Sequence, residues 1–278
     1  PFRPAMEVTL LGTGDTTGTP TVGCDCETCE QARTRDIERT RFSVFVESAS
    51  GSSLLIDFSP DFRYQFLREE CDPPDAAVVT HIHFDHLDGL GNVYRLVEEL
   101  PIYAADETDP TTGESVAQTV RDRYDYLDAV SVEPTAPFET IETAGLKLTL
   151  VPVDHPPLLC YGLLVEDPET GGRLALSGDT SYAIPDRSLA VLSGADLLLA
   201  DGIVPAENCE YHPLGGRHHD ESGVPRTFGD KHMTIEGARQ LGDRLDATET
   251  RLVHLSHYIP ADRAFDADMA VDGGRFEL

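Results

Sequence analysis

The spacing of hydrophobic and polar positions changes several times along the chain. Residues 6–11 (MEVTLL), 42–48 (FSVFVES) and 53–57 (SLLID) carry the short apolar runs of β-strands, the last closed by the turn residues Asp57, Ser59 and Pro60. Phe62, Phe66 and Leu67 then share one face of a short helix ending near Glu70, and AAVV at 76–79 reads as a brief buried strand. From Asp85, the apolar residues Leu87, Leu90, Val93, Leu96 and Val97 recur at helical spacing and predict a helix to about Leu100. The second half carries strand patterns at 146–153, 160–166, 173–177 and 196–200, a helix from Thr234 to about Leu245, and a last strand at 251–255. Strands in runs with helices between the runs predict a layered α/β architecture, with helices outside two packed sheets. Residues 105–115 and 205–231 are polar and contain Gly and Pro, and they are read as loops beside a site.

The 278 residues suit a single domain, expected to run from Met6 to Leu278, with Pro1 to Ala5 an appended or disordered start. Hydrophobic residues make up 40% and charged residues 26%, an ordinary globular balance, and no apolar run approaches the roughly 18 residues of a membrane span. No signal peptide is visible, so a cytoplasmic protein is expected. The formal charge of −29 is not ordinary: fifty acids stand against nineteen arginines and only two lysines, Lys147 and Lys231. Acids spread along the chain suit a halophile's surface, because in molar salt the Debye length falls to about 3 Å and self-repulsion almost vanishes. No cluster of Lys or Arg is present to neutralise phosphates, so charge disfavours RNA as a partner, although molar salt would screen that repulsion.

In HIHFDH, residues 81–86, three histidines and an aspartate follow the buried strand at 76–79. His81 and His83 alternate along extended chain and can face one metal, while Asp85 and His86, at the start of the following helix, turn toward a second. Two ions about 3.5–4 Å apart activate a bridging water and neutralise both the attacking and the leaving oxygen of phosphoryl chemistry. A solvated polar turn, or separate core histidines, explains such a density of ligands poorly.

This motif resembles that of the metallo-β-lactamase superfamily, and the resemblance extends over nearly the whole chain. It implies a four-layer αβ/βα sandwich with the metals at one edge. It also implies that His81, His83 and His155 hold one ion and Asp85, His86 and His254 the other, with Asp179 bridging. His155 follows LTLVPVD, Asp179 lies in SGDT, and His254 lies in LVHLSH, in the superfamily's order. The oxygen-reducing di-iron branch carries Glu where His83 stands, so His83 favours hydrolysis.

Ahead of these, Cys24, Cys26 and Cys29 fall within six residues of GTGDTTGTPTVGCDCETC, a density of thiolates that suits zinc. A closed tetrahedral site needs a fourth ligand, and His257, three residues after His254, is the natural candidate. Cys71, Cys160 and Cys209 are scattered and read as single thiols, and a disulfide framework suits a large chain without a signal peptide poorly. Gly12, Gly14 and Gly18 lack the helix and the Lys-Ser/Thr of a nucleotide loop and are read as letting the backbone turn tightly.

The glycine-rich opening, the cysteine trio and the HLSH ending together are similar to the family of phosphodiesterases that assist carbon–phosphorus lyase by opening a ribosyl cyclic phosphate. That resemblance implies one structural zinc, two divalent ions (manganese or zinc) in the active site, and a small cyclic or nucleotide-like phosphodiester as substrate. It gives His232, in DKHMTIEGA, the place of a general acid, which suits an imidazole near neutral pH. Asp85, Asp179 and His232 are thus the expected catalytic set. Residues 205–231 look longer and differently composed than the matching connection in that family, leaving the substrate open; His212, His218 and His219 within them are read as a solvated stretch. Alternatives are a transfer-RNA 3′ endonuclease of the same superfamily, for which no basic gripping arm is present, a thioester or lactone hydrolase, and a noncatalytic metal-binding protein. No membrane partner is expected, and pairing into a homodimer is left open.

Overall fold

The computed structural model describes residues 5–278; Pro1 to Pro4, most of the expected start ahead of Met6, lie outside the described residues. The first half builds β1 (Glu7–Gly12), α1 (Glu27–Arg35), β2 (Ser43–Glu47), β3 (Ser53–Ile56), α2 (Phe62–Glu69), β4 (Ala76–Val79), α3 (Phe84–Leu87), β5 (Leu100–Ala105), α4 (Val116–Arg123) and β6 (Val130–Thr135). The second builds β7 (Thr140–Thr143), β8 (Leu146–Val153), β9 (Cys160–Glu166), β10 (Arg173–Leu176), α5 (Asp186–Leu192), β11 (Leu197–Asp201), β12 (Gly216–His219), β13 (Pro225–Phe228), β14 (His232–Met233), α6 (Ile235–Arg244), β15 (Glu249–Val253) and β16 (Arg275–Glu277).

A seven-stranded sheet, ordered β16-β1-β2-β3-β4-β5-β6, faces a six-stranded sheet, ordered β15-β11-β10-β9-β8-β7. Period-2 alternation explains the layering. Leu197 and Leu199 on β11 join the core shared with Leu54, Ile56 and Val78 of the first sheet, while Leu198 and Ala200 turn outward to Leu192, Ala238 and Leu241 of α5 and α6. Helices α2 and α4 cover the outer side of the first sheet, and α5 and α6 that of the second. The result is the expected four-layer αβ/βα sandwich. Thr234 caps α6 by accepting the Gly237 N–H at 3.1 Å.

Strand direction places the site. β3, β4 and β5 run parallel, as do β10, β11 and β15, and β8 lies antiparallel to β9, which is antiparallel to β10. The C-terminal ends of β3, β4, β8, β10, β11 and β15 therefore deliver residues 57, 81, 155, 179, 201 and 254 to one edge, where ligands bind in open α/β sheets.

Three expectations are corrected. The helix expected from Asp85 to about Leu100 is only α3 followed by a 3-10 turn over Asp88–Val93, and β5 begins at Leu100. Gly89 and Gly91 weaken a continuing helix, and Gly89 packs so closely on Ser59 that a Cβ would sit 1.9 Å from its carbonyl oxygen. Residues 205–231 are not a plain loop: a 3-10 turn over Ala206–Tyr211 precedes β12 and β13, which form a three-stranded sheet with β14. The opening glycines also act by closeness more than by turning, since a Cβ on Gly12 would lie 1.9 Å from the Arg41 carbonyl oxygen, whereas Gly18 has φ +70°.

Candidate metal centre

The buried β4 leads through Thr80 to His81, and extended backbone at His83 turns into α3, which carries Asp85 and His86. Their side chains meet those of His155, Asp179 and His254. His81 Nε2 lies 3.0 Å and His155 Nε2 3.3 Å from His83 Nδ1. His86 Nε2 and His254 Nε2 are each 3.3 Å from Asp179 Oδ2, and His254 Nε2 is 3.4 Å from Asp85 Oδ2. Asp179 Oδ2 is also 3.7 Å from His81 Nε2, so this one carboxylate adjoins both histidine groups. All but His83 are buried.

These spacings fit metal ions. Four ligands about 2.0–2.1 Å from zinc lie about 3.3–3.4 Å from one another, the distance seen here between facing nitrogens. His86 Nε2 is buried with no hydrogen-bond partner, an arrangement costly for a polar atom unless a cation occupies its lone pair. The groups His81, His83, His155 and Asp85, His86, His254 each satisfy a ligand cluster, and Asp179 clusters with His81 and His86. The arrangement can therefore hold two ions side by side.

Electrostatics point the same way. Burial works against charge on His86, yet Asp179, Asp85 and Asp57 outweigh it and hold this imidazole well above its usual value. The same contest raises His254 to about 9, with Asp179 first among the opposing groups. Burial, then His86, pushes His81 well down, and burial, then His232, takes His155 to about 3. Burial alone would raise Asp85, but His86 and His254 bring it to about 2. One half of the site stays neutral and electron-donating, while the other gathers positive charge around three carboxylates.

Two carboxylates missed in the sequence support the cluster. Asp57 is fully buried: Oδ1 accepts the Thr80 N–H and Oδ2 the Thr80 hydroxyl, each at 2.7 Å, and Oδ2 lies 2.7 Å from His86 Nδ1. Asp201 ends β11; its Oδ2 accepts the Thr180 N–H at 2.9 Å and lies 2.9 Å from His232 Nδ1. Burial pushes the Asp201 carboxyl up, against the pull of His232. The Lys231 carbonyl accepts the His155 Nδ1–H at 3.0 Å. Asp57 (φ 61°) and His254 (φ 57°) both adopt left-handed backbone, uncommon for residues other than glycine and found where strain is held at working sites. An Asp closing a strand is a turn signal, which is why Asp57 read as punctuation.

His232 sits over the ligands, its ring centroid 4.8 Å from that of His155 and 4.9 Å from that of His254. His218 and His219 are exposed on β12, and His218 Nδ1 is 2.8 Å from the Thr227 hydroxyl, while His212 stacks edge-on to Phe228.

The second cluster forms where α1 begins. Cys26 precedes the helix, Cys29 lies in its first turn, and the Cys24 carbonyl accepts from Arg33 Nη2 at 2.6 Å. His257 Nδ1 is 3.4 Å from Cys24 Sγ and 3.5 Å from Cys26 Sγ. Tetrahedral zinc with sulfur at about 2.3 Å and nitrogen at about 2.0 Å puts such neighbours about 3.5 Å apart. None of the six cysteines is in a disulfide; the Thr21 N–H points at Cys29 Sγ, whose pKa burial raises to about 11.

No helix of the described residues is long and apolar enough to cross a membrane. A family model described as the beta-lactamase superfamily domain matches residues 53–255. A solved diphosphatase from the PhnP family is 31% identical, with a TM-score of 0.76 and coverage of 98% of both chains. Zinc-bound PqqB from Methylobacterium extorquens, 23% identical over 98% of this chain and 100% of its own, has a TM-score of 0.77 and shares the fold. A protein of Porphyromonas gingivalis named octanoyltransferase is 33% identical over 92% of this chain, but the match spans only 47% of that protein's length. The chain belongs to the beta-lactamase superfamily, and over its whole length it resembles a member of the PhnP family.

Proposed function

We propose that the protein is a two-metal phosphodiesterase acting on a small cyclic or nucleotide-like phosphodiester. The observation that carries the reading is the convergence of five imidazoles and two carboxylates at metal-ligand spacing beneath a further histidine, His232, which Asp201 holds through Nδ1. His81, His83 and His155 would hold one ion, Asp85, His86 and His254 the other, and Asp179 would lie between. Bound there, two divalent ions, manganese or zinc, supply a nucleophilic hydroxide and neutralise charge developing at phosphorus. The chain's own part is to hold the ligands, through Asp57 and Asp201, and to present a proton from His232 to the departing oxygen. Similarity to a diphosphatase supports phosphorus–oxygen chemistry. Cys24, Cys26, Cys29 and His257 would bind a structural zinc that ties α1 to the segment carrying His254.

The charge of −29 supports a small substrate over RNA, since the protein has little with which to grip a polyanion. It also supports a halophilic, salt-rich setting. The test is a panel of cyclic, alkyl, aryl and RNA phosphodiesters, a nucleoside diphosphate and a thioester, assayed with manganese or zinc in molar potassium chloride. Cleavage of small diesters at least tenfold faster than of RNA or thioester is expected; a thioester preference would overturn the reading.

A further inference from the structure

The carboxylate at the end of β11 has two oxygens in different circumstances. Asp201 is buried, and its backbone N–H is fixed by the Ser177 hydroxyl at 2.9 Å. Oδ2 accepts the Thr180 N–H, next to the bridging Asp179, and the same oxygen lies 2.9 Å from His232 Nδ1. A carboxylate oxygen accepts, so Nδ1 of His232 must carry the hydrogen. That leaves Nε2 of His232 as the ring nitrogen without a protein partner among the described residues.

Oδ1 is buried with no hydrogen-bond partner, and so is His254 Nδ1, 3.9 Å away. If His254 ligates through Nε2, its Nδ1 bears a hydrogen, and Asp201 Oδ1 faces it as the acceptor. The rings of His232 and His254 lie nearly parallel, 11° apart with centroids 4.9 Å apart, and each turns its Nδ1 toward a different oxygen of Asp201, at 2.9 Å and 3.9 Å. A residue needed only to satisfy the Thr180 N–H would have no reason to leave its second oxygen buried and aimed at a ligand's outer nitrogen.

We propose that Asp201 is a positioning residue serving both halves of the site: one oxygen holds the Nδ1–H of His232, so that in the imidazolium form the transferable proton lies on Nε2, and the other braces the metal-ligating ring of His254. The assignment rests on the phosphodiesterase reading for the role of His232, but not for the geometry. It makes the proton donor and one metal ligand share a single support, so the two cannot be displaced independently.

The test uses the zinc-loaded protein and Asp201→Asn, close in size but without the charge, compared with His232→Ala and with the double variant. Metal content as purified should be unchanged, while zinc loss to a chelator becomes about tenfold faster. Turnover of an alkyl diester should fall by roughly 10²-fold with little change in KM, and that of a nitrophenyl diester far less, because a nitrophenolate leaves without a proton. The double variant should be no slower on the alkyl diester than His232→Ala alone, since Asp201 acts through that ring. In ¹⁵N nuclear magnetic resonance, neutral His232 should carry its hydrogen on Nδ1 in the parent and lose that preference in Asp201→Ala, which removes the acceptor. Multiplying losses in the double variant, or equal loss on both diesters, would overturn the role through His232; an unchanged zinc-loss rate would overturn the brace on His254. If Asp201→Asn fails to fold, Asp201→Glu, which keeps the charge but misplaces it, should show the same pattern. If the parent cleaves no diester, the proposed function fails, and the resonance and zinc-loss measurements still decide the place of Asp201.

Discussion

Replacing Asp57 by Asn should selectively weaken binding of the ion that Asp85, His86 and His254 are proposed to hold. Asn keeps the size and tolerates the left-handed backbone that position 57 adopts (φ 61°), so the fold should survive. Its carbonyl can still accept the Thr80 N–H, now at 2.7 Å from Oδ1. The other position then carries an NH₂ group 2.7 Å from His86 Nδ1, where a carboxylate oxygen stands. Two donors would face each other, and the imidazole avoids this by moving its hydrogen to Nε2, the nitrogen 3.3 Å from Asp179 and 3.7 Å from Asp85. A protonated Nε2 cannot ligate. Loss of such a partner to a metal-bound histidine costs about 10–100-fold in affinity, or about 1.4–2.8 kcal/mol. The other ion should feel less, because Asp57 reaches His81 only through the Thr80 hydroxyl, 3.1 Å from His81 Nδ1. Zinc titration against a competing chelator, read as two successive affinities, measures both effects. Two ions bound within about threefold of the parent affinities would refute the argument that Asp57 sets the His86 tautomer.

His232→Ala should keep both ions and slow alkyl diesters by about 10²–10⁴-fold while sparing nitrophenyl diesters; equal losses on both would assign the ring to phosphate binding. Cys24→Ser should lower folding yield and remove one tightly held zinc, because a closed site contributes folding free energy; a zinc-free variant with unchanged thermal midpoint would refute the structural role. Circular dichroism across a potassium chloride series should show compaction only at high salt, given fifty acids against twenty-one bases; equal stability in dilute buffer would remove the halophile reading. In chelator-treated protein, His254 is raised from 6.5 to about 9, so its stabilising proton is fully bound below about pH 6.5 and lost as pH rises through about 9. The thermal midpoint of that form should fall across this window, whereas metal affinity should rise as competing protons leave; a flat midpoint would contradict the carboxylate-rich environment of His254.

Elements set by side-chain period were legible in the sequence, and those set by backbone closeness were not. Strands at 146–153 and 160–166 alternate or run apolar over seven or eight residues, and they stand in the structure as β8 and β9. The apolar spacing from Leu87 to Val97 looks equally helical, yet Gly89 sits against the Ser59 carbonyl, and the chain takes 3-10 geometry over Asp88–Val93. No periodicity contains that information, because the partner lies thirty residues earlier in the chain. β12 and β13 escaped for a different reason: GRHH and PRTF are short and polar, and they form strands because they pair with each other and with β14.

The same division runs through the metal centre. A residue that meets an ion must be His, Asp or Cys, so its type and density show in one dimension, as in HIHFDH and the cysteine trio. A residue that holds such a side chain needs only an acceptor in the right place, and Asp57 beside His86 and Asp201 beside His232 do this from strand ends where an Asp is commonplace. What marks them is three-dimensional: each is buried and charged, each accepts a backbone N–H from the segment bearing a ligand, and each touches the outer nitrogen of a histidine. Asp57 binds the N–H of Thr80, beside His81, and Asp201 that of Thr180, beside Asp179, so both sheets meet the site through the same device. A buried carboxylate costs several kcal/mol unless it is paired. Each one here is paired on one side with the chain that brings a ligand and on the other with an imidazole, so removing either would leave buried donors unpartnered as well as a looser ligand. Supporting carboxylates and ligands in this site should therefore change together, and a variant that retains all seven ligands but lacks Asp57 or Asp201 should bind metal less selectively than the ligand set alone predicts.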